Sequence, residues 1–497
     1  MSVIKNYIYN TLYQIMSLFI PLITMPYMTR IFTPDQMGLN SYTLSIVSYF
    51  MLFGMLGMQM YGNRQIAYVR DDKIKINRTF WSLFTTQLIT NSISLIIYYC
   101  SILFYITEYK LVYVAQGLNI ISVMLDISWL FMGLEDFKKI VIRNSLVKLI
   151  GVLSIFIFVK SSKDLILYIF LTAIISIGGT VIMWIYLPHY MKRVQIDLKI
   201  IKGTIKPLMA LFLPQVATQV YTLLARTMVG VLSTTEQVAF YDYSQRIIRM
   251  ILSLISSVGI VLMPRVANMV GKGQKEDVRE VVKKTFMFIS YISIPMAIGI
   301  MAISKILISW FLGYEYSVIG QLLEISSTII VAVSWANIIG VQYLIATKQE
   351  NKYTISILLA AAINLIMNVL VIGKYGAYGA VISLILAEFI GIGIQMILVR
   401  KQLPIGSMLI STIKYAMAAI IMAVIITPIG GYFKNGFVAN VVQVIVGILV
   451  YISILFWMKD EIQNEVIDRC KELVLKRLIN KIRILFNIAV KLKISKE

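Results

Sequence analysis

LLARTMVGVLSTTEQVAFYDYSQRIIRM, residues 223–250, carries three arginines between two apolar runs, 208–222 and 247–263. Runs of that kind suit a bilayer, where an arginine at mid-depth costs roughly 3 kcal/mol on insertion scales. Ten residues of the stretch echo an earlier ten. TTEQVAFYDY (234–243) follows TPDQMGLNSY (33–42) by 201 positions. Acid aligns with acid, Gln36 with Gln237, Gly38 with Ala239 and Tyr42 with Tyr243. An internal repeat that joins two apolar spans in each copy sets the expected fold, and the arginines raise the question of function.

The rest of the chain supports a membrane reading. Its 497 residues are 59% hydrophobic and 14% charged, with a mean hydropathy of +0.82. Soluble domains are about half apolar and a quarter charged. Disorder and soluble repeat folds are excluded on the same ground. A spanning helix needs about 20 apolar residues, and about 14 segments qualify. They run 8–29, 38–60, 80–104, 111–133, 141–159, 164–187, 207–231, 237–262, 285–303, 320–346, 353–373, 377–399, 408–428 and 437–457. The runs are continuously apolar without period-two alternation, so helices are expected rather than a barrel. The first segment does not read as a cleaved signal: only Lys5 is basic before it, and no small-residue cleavage site follows.

The two ten-residue copies follow spans one and seven. Six spans apart is an even number, so both copies have the same orientation, which is a parallel repeat about an axis normal to the membrane. The expected architecture is an all-α integral membrane protein with about 14 transmembrane helices. They form two pseudo-symmetric six-helix lobes, 1–200 and 201–402, followed by two helices in 403–458 and a basic amphipathic tail in 459–497. In repeat transporters substrates bind near the midplane at the interface of the repeats.

Net charge is +22, which by itself could suggest nucleic acid. Its distribution argues otherwise. Arg64, Arg70, Lys73, Lys138, Lys139, Lys192, Arg193, Arg265 and Lys272 fall in one set of loops, and most of the remaining basic residues join them. Roughly 35 basic residues lie on that side against about 7 on the other, which makes both termini cytoplasmic. The charge is topology signal and attraction to anionic lipid, with no nucleic-acid partner expected. In the tail Leu473, Leu478, Ile482, Leu485 and Ile488 recur at helical spacing among lysines and arginines. That fits a helix on the inner leaflet, or a basic tail without fixed structure. Cys100 falls in a span and Cys470 in the tail, so no disulfide is expected.

Polar residues inside the spans form stripes. Gln215, Gln219, Thr222 and Arg226 share one face of the seventh span; Asp242, Arg246, Arg249, Ser253 and Ser256 share one face of the eighth. Asn6, Asn10, Tyr13 and Ser17 lie along the first, Gln116, Asn119 and Asp126 along the fourth, and Asn364 and Asn368 in the eleventh. Such stripes either line a polar path or hold helices together without any ligand. Arg226 lies roughly 7 Å from the outer end of its span and can snorkel as an anchor. Arg246 and Arg249 lie roughly 14–18 Å deep if their helix starts near Gln237, which favours a cavity. If the hydrocarbon begins only at Ile247, Arg246 is interfacial. Asp242 can also pair with Arg246 at four-residue spacing. Lys148 sits inside the fifth span, facing either a cavity or another helix. Asp126, Asp242, Glu324 and Glu388 are candidate acids for ion coupling, or partners of buried cations.

Several motifs together resemble a known family. MPYMTRIFTPDQMGLNSY resembles the opening signature of the bacterial polysaccharide transporters, the Wzx-like lipid-linked oligosaccharide flippases. RTMVGVLSTTEQVAFYDYSQRI resembles that family's segment between helices seven and eight, and LMPRVANMVGKGQ its Pro-Arg motif after helix eight. WFLGYEYS and YGAYGAVISLILAE follow in family order, so the resemblance covers nearly the whole chain. It places the chain in the superfamily of the lipid II flippase and the multidrug and toxin extrusion antiporters. It implies a two-lobed bundle working by alternating access. The implied substrate is undecaprenyl diphosphate carrying a sugar repeat unit, for capsule or another surface polysaccharide, in a bacterial plasma membrane. Where the family often has an Asp-Lys pair near the end of helix seven, this chain has Ala225 and Arg226, which puts an acidic coupling role there in doubt.

Such a substrate suits the residues. Arginine binds phosphate in bidentate fashion, so Arg246, Arg249, Arg226 and Lys148 are the expected diphosphate ligands, with Gln219 and Asn10 for sugars. No cofactor is expected, and a proton or sodium gradient is the candidate driving force. Membrane lipids are expected partners, with a polysaccharide polymerase and glycosyltransferases as candidates. The alternatives are a drug or cation antiporter, which would favour an acidic cavity, and a membrane-embedded polymerase or ligase, which usually exposes a sizeable outer loop. Here the longest outer loop, 304–319, holds Glu315 as its only acid, and the single histidine, His189, reads as interfacial. No Gly-rich phosphate loop, paired metal ligands or nucleophile–base set is present in the sequence, so an enzyme is not expected. An ATP-driven pump would need its ATPase from another subunit.

Overall fold

The computed structural model of the protein describes residues 2–190, 198–259, 262–469 and 471, with side chains described outside 2–15, 198–199, 213–218, 220–222 and 257–259. No strand occurs among the described residues. In chain order the helices are α1 (Ser2–Ile31), α2 (Pro34–Met55), α3 (Met58–Val69), α4 (Lys73–Tyr105), α5 (Lys110–Met124), α6 (Ser128–Gly133), α7 (Phe137–Phe158), α8 (Leu165–Tyr186), α9 (Leu198–Leu232) and α10 (Thr235–Gly259). Then come α11 (Leu262–Gly271), α12 (Lys275–Phe311), α13 (Val318–Ser326), α14 (Ile329–Ala336), a π-helical stretch Asn337–Ile345, α15 (Glu350–Val399), α16 (Ile405–Ile429) and α17 (Gly436–Trp457). Ten helical segments among the described residues are long and apolar enough to cross a membrane. Each of the remaining expected spans coincides with a helix: α1, α9 and α10 for spans one, seven and eight. Helix α15 covers two spans, because Gly376, at φ +55°, breaks its run at the boundary expected between them.

Packing divides the chain into two compact units. The first comprises residues 1–247, 308–322 and 361–383; the second comprises 248–307, 323–360 and 384–497. This line differs from the lobe boundary expected near residue 200, which follows the sequence repeat. The first unit takes in the whole first copy together with α9, the start of α10 and two pieces of later helices.

In the first unit an aromatic core joins α3, α4, α6 and α8. Trp129, Phe80 and Phe131 are fully buried, and Phe84 meets Trp184 edge to face at 4.6 Å. Gly62 lets α3 approach the ring of Trp129, which a Cβ would strike. The fourth span is broken between α5 and α6, which leaves carbonyls without helical partners. Side chains take them up. Gln87 Nε2 donates to the carbonyls of Val123 at 3.2 Å, Met124 at 3.0 Å and Asp126 at 2.9 Å. Trp184 Nε1 donates to that of Leu125 at 2.8 Å. Polar residues also join α4 to α2, where Asn91 Nδ2 and Thr90 Oγ1 donate to the Gly54 carbonyl at 3.0 and 2.6 Å.

The second unit is built around the α16–α17 hairpin. Tyr415, Ala418, Ala419, Met422, Tyr451 and Leu455 pack with Ile294 and Ile303 of α12. Tyr451 Oη donates to the Tyr291 carbonyl at 3.0 Å. At the end of α17 the buried carboxylate of Asp460 pairs with Lys414, accepts from Tyr415 Oη and caps residues 461–469 through the Gln463 N–H at 2.9 Å. The apolar positions expected to form the amphipathic tail helix, from Leu473 onward, lie outside the described residues, as does Cys470.

Candidate functional site

The two copies of the repeat begin their helices in the same way. Thr33 Oγ1 accepts the Gln36 N–H at 3.4 Å, and Thr234 Oγ1 accepts the Gln237 N–H at 3.3 Å, an N-cap that satisfies one orphan donor of each helix. Each glutamine then ties down a distant turn of its own copy. Gln36 Nε2 donates to the Ser162 carbonyl at 2.7 Å, and Gln237 Oε1 accepts the Ala377 N–H at 3.0 Å, next to the Gly376 kink. Eight residues past each cap threonine the two copies differ in charge. Position 41 is serine and position 242 is aspartate.

Those two residues touch. Ser41 Oγ donates to Asp242 Oδ2 at 3.0 Å. The same carboxylate carries two arginines: Arg226 Nη2 lies 2.6 Å from Oδ1 and Arg246 Nε 2.8 Å from Oδ2. Asp242 is fully buried, Arg226 is 13% exposed and Arg246 36%. One turn of α10 separates Asp242 from Arg246, and the short α9–α10 connection folds Arg226 back against both. The Arg246 guanidinium also stands over the Tyr243 ring, 5.4 Å from its centroid, and Tyr243 packs on Tyr316. Two cations share one anion here, so the cluster keeps a net positive charge. Arg226 Nε is buried and has no hydrogen-bond acceptor, a donor left over after the ion pair is made.

Small and polar residues bring the elements this close. A Cβ on Gly38 would strike the Thr235 carbonyl, and one on Gly230 the Tyr42 ring. Ser45 Oγ and Thr227 Oγ1 share a hydrogen bond at 3.0 Å, Thr227 Oγ1 donates to Tyr49 Oη at 3.3 Å, and Thr235 Oγ1 donates to Asp35. Further along, Tyr316 Oη donates to the Phe32 carbonyl at 2.8 Å and Arg30 Nη2 to the Trp310 carbonyl at 3.1 Å.

The other expected site residues are spread out. Arg249 is exposed on α10, outside the Asp242 cluster's compact unit. Lys148 is half-buried, its ammonium donating to Ser17 of α1. Gln219 is exposed on α9. The side chains of Asn10, Gln215 and Thr222 lie outside those described. Among the acids, Asp126 sits at the break of the fourth span. Its Oδ1 accepts the Ser128 N–H at 2.9 Å and lies 3.6 Å from Arg143 Nη2. Glu324 pairs with Lys305 at 2.9 Å, both partly exposed. Glu388 is half-buried on α15. Two neutral stripes are spent on holding residues together. Gln116 Nε2 donates to Asn40 Oδ1 and Asn119 Nδ2 to Gln116 Oε1, both at 3.0 Å, and Asn368 donates to Asn364 at 2.9 Å.

Sequence reasoning passed over Ser41 and Arg143. Ser41 aligns with Asp242 in the repeat, which was the available signal. Arg143 is a charge inside the fifth span as drawn, five residues before Lys148 on the same helix. Gln87 gave no signal, because the break it supports is not marked by glycine or proline.

A bundle of long apolar helices, broken at buried polar points and holding two arginines on one buried carboxylate, defines a multi-pass membrane protein of the transporter class. The comparisons agree. The profile of the polysaccharide biosynthesis protein family matches residues 3–270, more than half of the chain, and the protein belongs to that family. The MatE family profile matches residues 210–370. A Shigella dysenteriae protein described as "Putative O-antigen transporter" is 25% identical over 372 residues, covering 74% of this chain and 92% of that one. An Escherichia coli K12 protein of the same description is 20% identical over 407 residues, covering 81% and 98%. In fold the chain is similar to the lipid II flippase MurJ in an inward closed conformation, with a TM-score of 0.72 at 16% identity, covering 92% of this chain and 99% of that one. An inward-facing multidrug resistance MATE family transporter gives 0.59 at 11% identity, over 78% and 95%. The resemblance carried by the sequence motifs is borne out, and the likeness is to transporters and not to enzymes.

Proposed function

We propose that the protein is a flippase that moves undecaprenyl-diphosphate-linked oligosaccharide units from the inner to the outer leaflet by alternating access, for capsule or another surface polysaccharide. The observation that carries this reading is the Arg226–Asp242–Arg246 cluster in a chain of this family. A diphosphate cannot enter hydrocarbon without fixed cations, and arginine meets it with paired donors. The cluster has two guanidinium groups, one carboxylate and a spare Nε–H on Arg226. The relatives described as O-antigen transporters support a sugar-bearing lipid substrate.

Fourteen crossings and cytoplasmic termini in a bacterial plasma membrane belong to the same reading, supported by the hydropathy and the loop charges. Arg249 and Lys148 would guide the head group, and Gln219 and Asn10 its sugars. Asp126, paired at 3.6 Å with Arg143, is the acid best suited to exchange its partner for a coupling proton or sodium ion; Asp242 already holds two arginines and Glu324 a lysine. A polymerase and glycosyltransferases would act on either side of the translocation step. The MatE match favours a second reading, a drug antiporter, but a net cationic cluster repels cationic drugs. Reconstitution into liposomes decides: lipid-linked oligosaccharide should become accessible on the far leaflet, faster with an ion gradient. Transport of cationic dyes without movement of the lipid-linked sugar would favour the antiporter.

A further inference from the structure

The carboxylate that holds the two arginines also holds the first copy of the repeat. Asp242 Oδ2 takes both Arg246 Nε and Ser41 Oγ, at 2.8 and 3.0 Å. Around that bond α2 lies against α9 and α10 along a seam of close contacts. Gly38 backs onto the Thr235 carbonyl, Gly230 onto the Tyr42 ring, and Ser45 meets Thr227 at 3.0 Å. Asp242 is completely buried in this seam. A buried carboxylate is tolerable only while its charge partners stay in place.

We propose that Asp242 is an internal competitor for the diphosphate and so makes the α2–α10 seam a latch that an anion releases. The proposal rests on the reading of Arg226 and Arg246 as diphosphate ligands. A diphosphate needs the donors that Asp242 now occupies. When it takes them, the buried carboxylate of Asp242 loses both of its arginine partners, and it recovers its solvation by parting the seam. Anion binding and seam closure therefore oppose each other. By linkage, each weakens the other by the same factor. Ser41 is the device's second part. Its hydroxyl donates a hydrogen bond that crosses from the first copy to the carboxylate, whereas the arginines belong to the second copy.

The test uses the full chain in liposomes, with Cys100→Ala and Cys470→Ala removing its two cysteines. Asp35→Cys with Thr235→Cys places a thiol pair where the side chains already touch. Inorganic pyrophosphate is the probe. It is expected to slow disulfide formation roughly fivefold or more, within the usual range of coupling between sites. The oxidised, locked protein should bind pyrophosphate more weakly by the same factor, and reductant should restore affinity. Ser41→Ala should itself slow disulfide formation and raise pyrophosphate affinity. Arg226→Ala should abolish the pyrophosphate effect. If pyrophosphate binds through the arginines but the disulfide rate is unchanged, the latch is overturned while the proposed function stands. If pyrophosphate does not bind to the wild-type cluster, the arginine reading and the latch both fall.

Discussion

The repeat's first copy and its second make the same turn with different charge. Both open on a threonine cap, and both use the following glutamine to hold a remote turn. At the eighth residue past the cap position the first copy has Ser41 and the second Asp242, so the carboxylate, and with it Arg226 and Arg246, belongs to the second copy alone. The frame is symmetric and the chemistry is not. A symmetric pair of acids would face each other across the Ser41–Asp242 bond at 3.0 Å, and two like charges at that distance cannot both stay ionised. The difference is therefore a condition for the close approach of the two copies as well as a source of function.

The sharpest way to break the comparison is to remove the acid. Asp242→Asn leaves two arginines around an uncharged side chain, and losing one member of a buried pair costs about 3–5 kcal/mol. Thermal unfolding in detergent should show a fall larger than any other single change in the cluster, and flipping should be lost. Moving the acid by Ser41→Asp with Asp242→Ser should recover part of that stability, because the carboxylate stays in the seam; no recovery would mean that Asp242 is held by its own helix alone. Next, Arg226→Ala and Arg246→Ala should each abolish flipping of lipid-linked oligosaccharide while membrane insertion persists. Arg226, the less exposed, should cost more stability. Normal transport by both variants would remove the cluster from the substrate path.

Smaller effects test the symmetric part. Gln36→Ala and Gln237→Ala each delete a side chain that bonds a distant turn, and each should cost about 1 kcal/mol, read as matched falls in melting temperature. A clear imbalance would show that the two copies do not share the frame after all. Smallest of all, Glu324→Gln should change stability by less than about 1 kcal/mol, since exposed ion pairs contribute little. A transport defect there, measured with and without an ion gradient, would instead mark Glu324 as a coupling site.

Much of the fold was legible beforehand. Long apolar runs can satisfy their backbone in lipid only as helices, so span positions followed from composition, and even the kink at Gly376 fell at an expected boundary. The break at Leu125–Ile127 was not legible. It persists because Gln87 and Trp184 reach its free carbonyls from other helices, and nothing in the local sequence records such help. For the site, helical spacing placed Asp242 and Arg246 together, and the alternative that they pair is the one realised.

By itself the sequence determined the class and the apolar helices, because hydropathy and periodicity are local properties. Only the tertiary structure decided who meets whom. It brought Arg226 onto Asp242, gave Arg143 to Asp126, sent Arg249 to the surface and set Ser41 against its own repeat partner. The reason is physical: an ion pair is a few ångströms long, and the distance between helices is fixed by the glycines, serines and threonines that let backbones approach, not by the spacing of charges along the chain.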